Sequence, residues 1–134
     1  MILKPNPSLA VPIYLQLVEQ VKHAIEIGAL RAGDQLPGLR PLAEELVINV
    51  NTVAKAYREL ERQGVIELRH GAGAFVANAA PARRGGAEKF RGAEALVGEA
   101  VAQLRSRGLS DAQIRRLFEA ELAGVVRKAG GVRG

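Results

Sequence analysis

Asn51, Lys55, Arg58 and Arg62 follow one another at i, i+4, i+7 and i+11. On a helix of about 3.6 residues per turn they share one face. Val53, Ala56, Tyr57 and Leu60, at i, i+3, i+4 and i+7, make the opposite face apolar. Such a helix docks one side on a core and presents hydrogen-bond donors and positive charge on the other. An asparagine amide pairs bidentately with adenine, a lysine ammonium reaches guanine or a phosphate, and a threonine hydroxyl contacts a base edge or a phosphate. The major groove of B-DNA admits a helix, and in a helix-turn-helix the N-terminal residues of the second helix reach the bases. Here those residues are Asn49, Asn51, Thr52 and Lys55, with Arg58 further along the same face. A solvated polar face is the competing reading. The position of the stripe, after a short helix with a tight turn and before a glycine-bearing hairpin, favours duplex DNA.

Two other groups carry donors near this helix. Arg40 falls in the first turn of the short preceding helix. There it can clamp a phosphate or reach a base, or it can pair with Glu44 at i+4; spacing leaves both open. Arg69, His70 and Gly71 stand at the hairpin tip, where they can touch an adjacent minor groove or form a polar turn with no partner. His23 and His70 are the two histidines, and without a ligand cluster they give no metal site. No cofactor is expected.

The elements that must hold these groups can be read from periodicity. Residues 1–11 read as an extended arm. Pro12 suits a first helical turn, and Ile13, Leu17, Val21 and Ala24, with Tyr14, Val18 and Ile25, give a helical stripe that Gly28 ends. A connection with Gly33, Asp34 and Pro37 follows, in which Leu36 can pair briefly in a small sheet. A short helix spans Leu39 to Leu46, Val47 to Asn49 make a tight turn, and a third helix runs from Val50 to Gln63 with Gly64 as its cap. The period then alternates: Val65 to Arg69 and Ala74 to Ala77 read as strands around a turn at His70 to Gly73. The fold class is mainly α with a small β-hairpin, an N-terminal winged helix-turn-helix over residues 1–78. Residues 79–92 read as a linker, although a helix could begin from Ala87 onward.

Residues 93–128 read as two helices. Leu96, Val97, Ala100, Val101 and Leu104 form the first stripe, which Gly108 stops. Ser110, with Gln113 three residues on, opens the second as a capping box. Its stripe is Ile114, Leu117, Phe118, Leu122, Val125 and Val126, and the glycine-rich tail 129–134 is expected to fray. Two helices bury little alone, so a partner is required, and a second copy of the chain is the simplest one. A different protein bound by the same pair is the alternative.

Bulk composition agrees. The 134 residues are 48% hydrophobic, 25% charged and only 4% aromatic, with a net charge of +5 and no cysteine. An aliphatic core suits packed helices, the basic excess suits a polyanion, and disulfides, thiol nucleophiles and cysteine-ligated zinc are excluded. No run is long enough for a signal peptide or approaches the ~20 apolar residues of a membrane span, so a cytoplasmic location with no membrane partner is expected. Nucleophile–base pairs, carboxylate clusters and phosphate-cradling loops are missing, because Gly71 and Gly73 lie in a hairpin tip rather than between strand and helix. An enzyme is not expected.

From Gly28 to Ala77 the chain carries GDQLP, LRPLAEEL, NTVAKAYRELERQGVIE and GAGAFV in that order. This resembles the DNA-binding domain of the GntR family of bacterial transcription regulators, and with PIYLQLVEQVKHAI the resemblance reaches back to Pro12. The asparagine-bearing turn before TV, the AYRELE segment and a C-terminal region of two helices are similar to the YtrA subfamily. GLSDAQIRRLFEAEL resembles that subfamily's short dimerisation helices. The resemblance implies DNA contacts from Arg40, Asn49, Asn51, Thr52, Lys55 and the wing at Arg69 to Gly71. It also implies a homodimer on a palindromic operator, usually repressing, often at genes for ABC transporters. The chain departs from the family pattern at Gly38, where serine is usual, at Val47, where glycine usually opens the turn, and at Val50 and Ala54. About 40 residues follow the linker after the wing, too few to enclose a typical small-molecule cavity in one subunit, but an effector could still sit between subunits.

Overall fold

The computed structural model describes residues 3–78 and 86–124. They fall into two compact units that divide between Arg91 and Gly92.

In the first unit, α1 (Ile13–Glu26), α2 (Leu39–Leu46) and α3 (Val50–Arg62) precede a hairpin of β1 (Ile66–Arg69) and β2 (Gly73–Val76). The order is that of a winged helix-turn-helix. One core holds it together: Leu17, Val18, Val21 and Ile25 of α1, Leu42 and Ala43 of α2, Val53, Ala56, Tyr57 and Leu60 of α3, and Ile66, Ala74 and Val76 of the hairpin. Burying aliphatic side chains of this size stabilises by about 1.5–3 kcal/mol each relative to exposure, so the core fixes how α3 is presented.

The hairpin pairs Ile66 with Val76 and Arg69 with Gly73. A third segment joins its edge. Gln35 bridges to Phe75, the Leu36 N–H donates to the Ala74 carbonyl at 2.8 Å, and the Gly33 N–H donates to that of Val76 at 2.8 Å. The expected pairing at Leu36 is therefore present, and it anchors the wing to the chain entering α2.

Residues 3–11, read as an extended arm, lie against α1. Leu3 is buried in the core, and the buried Gln16 amide accepts from the Asn6 N–H and donates to the carbonyls of Asn6 and Val11. Gln20 makes the same two-way contact with Lys4. The segment has no period of its own, and two glutamine side chains on α1 satisfy its backbone groups in place of a ladder.

The second unit holds all of α4 (Gly86–Ser106) from Gly92 onward, and that helix ends before Gly108, whose φ is +89°. α5 (Asp111–Ala123) opens on Ser110 with the reciprocal Ser110–Gln113 capping box, as expected. An Arg105–Asp111 ion pair at 3.0 Å spans the turn between the helices. α4 begins at Gly86, inside the segment read as linker: its alanines and glycines favour or tolerate helix without giving it an apolar period. Residues 79–85, Val125, Val126 and the tail lie outside the described residues.

Candidate nucleic-acid interface

The site is built on α3. Its apolar side is buried through Val53, Ala56, Tyr57 and Leu60, and its other side leaves Asn51, Lys55 and Arg58 exposed. Asn49 caps the helix, its side-chain oxygen accepting from the Asn51 N–H at 2.7 Å. That oxygen is therefore engaged within the chain, while its amide NH₂ remains a donor. Thr52 is half-buried beside it.

Lys55 is held. Its Nζ lies 4.2 Å from the centre of the Tyr14 ring. Asn49, Asn51, Thr52 and Lys55 line one cleft together with Pro12, Ile13 and Tyr14. The start of α1 thus belongs to the same surface as the start of α3.

A second cleft, of about 530 Å³, lies between α3 and the wing. Arg58, Arg69 and Gly71 line it along with Leu39 and Leu68, two large apolar side chains that are also exposed. The Arg69 guanidinium lies over the Phe75 ring at 4.3 Å and contacts Glu67 at 3.2 Å, so it is oriented by the hairpin face that carries it. Arg40 is exposed at the start of α2 and lines a third cleft with Val47 and Asn49. The ion pairs among the described residues do not include Arg40, Glu44 or Arg58. His70 is exposed at the wing tip and lines none of these three clefts.

Arg62 is engaged within α3. It hydrogen-bonds to Glu59, which also accepts from the Gln63 amide at 2.8 Å. The Arg62 bond, then the Gln63 bond, pull the Glu59 carboxyl down to about 2. Gln63 in turn accepts from Lys22 of α1 at 3.0 Å, which staples the end of α3 to α1.

The wing has its own brace. The Gln35 side chain donates to the Ala72 carbonyl at 3.1 Å. Gly73 has φ +120°, and a Cβ there would stand 2.9 Å from the Gln35 Nε2. A side chain at position 73 would thus be strained and would displace the brace.

Sequence reasoning placed Asn51, Thr52, Lys55, Arg58 and Arg69 on this surface but missed Tyr14, Gln35 and Phe75. In the sequence Tyr14 belongs to the apolar stripe of α1, and that period is the only signal it carries. Among the described residues no three His, Cys, Asp or Glu side chains gather as a metal site, and no helix is long and apolar enough to cross a membrane.

The fold and the exposed donor face of α3 define a winged helix-turn-helix protein. Residues 13–76 match the family described as bacterial regulatory proteins, gntR family. The chain is 44% identical over 71 residues to the HTH-type transcriptional repressor YtrA of Bacillus subtilis, covering 53% of this chain and 55% of that one. Among solved structures, YtrA from Sulfolobus acidocaldarius, a GntR-family transcription factor, is 30% identical with a TM-score of 0.56, covering 76% of this chain and 99% of that one. A transcriptional antiterminator from Listeria monocytogenes is 29% identical with a TM-score of 0.58, covering 94% and 93%. The chain belongs to the GntR family. It spans 55–58% of the length of three curated relatives, that repressor among them, and 14–39% of several longer ones.

Proposed function

We propose that this chain is a sequence-specific DNA-binding transcription regulator, acting in the cytoplasm by occupying a palindromic operator as a homodimer. One observation carries the reading: α3 is buried along Val53, Ala56, Tyr57 and Leu60, while Asn51, Lys55 and Arg58 stay open to solvent on its other side. The net charge of +5 supports a polyanionic partner. In this reading Asn51 and Lys55 read base edges, Thr52 and Asn49 contact a base edge or a phosphate, and Arg40, Arg58 and the wing at Arg69, His70 and Gly71 hold the backbone. The activity is binding rather than catalysis. Repression is the proposed outcome, supported by the name of the Bacillus subtilis relative.

The homodimer rests on the second unit. Leu96, Val97, Leu117 and Leu122 are exposed there, and Ala100, Val101, Leu104 and Phe118 are half-buried. A second copy covers them in this reading, and any effector would sit between subunits.

Selection from a random duplex pool tests the proposal. The expected result is an enriched half-site repeated with two-fold symmetry, bound with an affinity that falls steeply as salt rises. A pool that shows no enrichment would overturn it.

A further inference from the structure

We propose that Tyr14 is a positioning residue for DNA recognition: its ring holds the Lys55 ammonium where α3 delivers it to the duplex. The inference rests on the DNA-binding reading above and deepens it.

Tyr14 stands at the start of α1, on a helix fixed by the buried Leu17, Val18 and Val21. Lys55 stands one turn into α3, exposed, with its Nζ 4.2 Å from the ring centre. A lysine on a bare helix face swings on a four-carbon stem, and ordering it on binding costs affinity. A cation over a tyrosine face is attracted by the ring's negative quadrupole. The contact therefore orders the ammonium before any ligand arrives. It places the charge on the α1 side of α3, in the cleft shared with Asn51 and Thr52. An ammonium has three N–H donors, so one side can rest on the ring while the others address a base edge or phosphate. The ring face does this work, and the phenol hydroxyl is not required.

The experiment uses the duplex enriched by the wild-type chain, together with single-base variants of it. Affinities are measured for wild type, Tyr14→Phe, Tyr14→Leu, Lys55→Ala and the Tyr14→Leu/Lys55→Ala double variant, with melting curves to count folded protein. A chain carrying pentafluorophenylalanine at position 14 keeps the ring's shape but removes its negative face, so the test survives if Tyr14→Leu fails to fold. Tyr14→Phe is expected to bind like wild type. Tyr14→Leu and the fluorinated ring are expected to weaken binding about three- to fivefold and to flatten preference at the same base positions as Lys55→Ala. The double variant is expected to match Lys55→Ala alone. Wild-type base preference in the fluorinated chain, or Tyr14 and Lys55 effects that multiply, would overturn the inference while leaving the DNA reading standing. A wild-type chain that enriches no duplex overturns both.

Discussion

The Tyr57 hydroxyl donates to the Pro37 carbonyl oxygen at 2.7 Å, joining the middle of α3 to the residue before the N-cap of α2. The next residue back, Leu36, is bonded to β2. One phenol thereby ties the helix that carries the candidate interface to the strand segment that anchors the wing. Burial pushes this phenol well above its ordinary value, so it stays protonated and able to donate.

Tyr57→Phe keeps the ring in the core and removes only this bond. Losing one partly buried hydrogen bond costs about 1 kcal/mol, which urea unfolding would register as a lower midpoint at unchanged slope. A midpoint equal to wild type would show that the tether adds nothing.

Val47 should be a site of gain. Among the described residues it is the only non-glycine with positive φ, at 56°, and its side chain is 87% exposed. A β-branched residue in the left-handed region costs about 1–2 kcal/mol, and exposure leaves little packing to offset it. Glycine releases the strain but loses more chain entropy on folding. Val47→Gly is expected to stabilise by about 0.5–1 kcal/mol after that offset, and thermal unfolding would show it as a rise of a few degrees. A fall in melting temperature would mean that Val47 packs in a way its exposure does not reveal.

What could be read from the sequence was what local signals encode. The bounds of α2, the start of α3, the Ser110–Gln113 box and the glycines that follow α1 and α3 all depend on residues a turn apart. Val47 was visible as a departure, and its strained turn follows from it. The Tyr14–Lys55, Arg69–Phe75 and Tyr57–Pro37 contacts were not visible, because each forms only when two elements pack. Gln16 and Gln20 look like ordinary polar interruptions of a helix until the N-terminal segment lies against them. The start of α4 was blurred because alanine and glycine give no apolar period to read.

Glu59 gives a dependence on pH. Hydrogen bonds from Arg62 and then Gln63 draw its carboxyl from near 4.5 in an ordinary setting to about 2. A carboxyl more acidic when folded than unfolded adds stability above its unfolded value, and loses it as pH falls through the folded one. The contribution is therefore present at pH 6 and fades between about 4.5 and 2. Glu59→Gln is expected to be less stable than wild type at pH 6 and to lose most of that gap by pH 2.5. Urea midpoints at both pH values measure it, and parallel curves would exclude a role for the carboxylate.

The second unit predicts an assembly. Between them, the described parts of α4 and α5 bury only Ile114, while Leu96 is 69% and Leu122 is 84% exposed. Apolar stripes of this kind need a partner surface of about 800 Å² per side to form a stable interface. If a second copy supplies it, light scattering of the wild type will report twice the 14.3 kDa chain mass. Leu96→Glu with Leu122→Glu places charge on both stripes, which like copies cannot bury, and is expected to return the mass to a single chain. The winged unit should be untouched, since its core shares no residue with these positions. Affinity for a two-half-site duplex should then fall to that for one half-site. A wild type that already runs as a single chain at micromolar concentration would instead assign the stripes to a different protein, because their exposure would still call for cover.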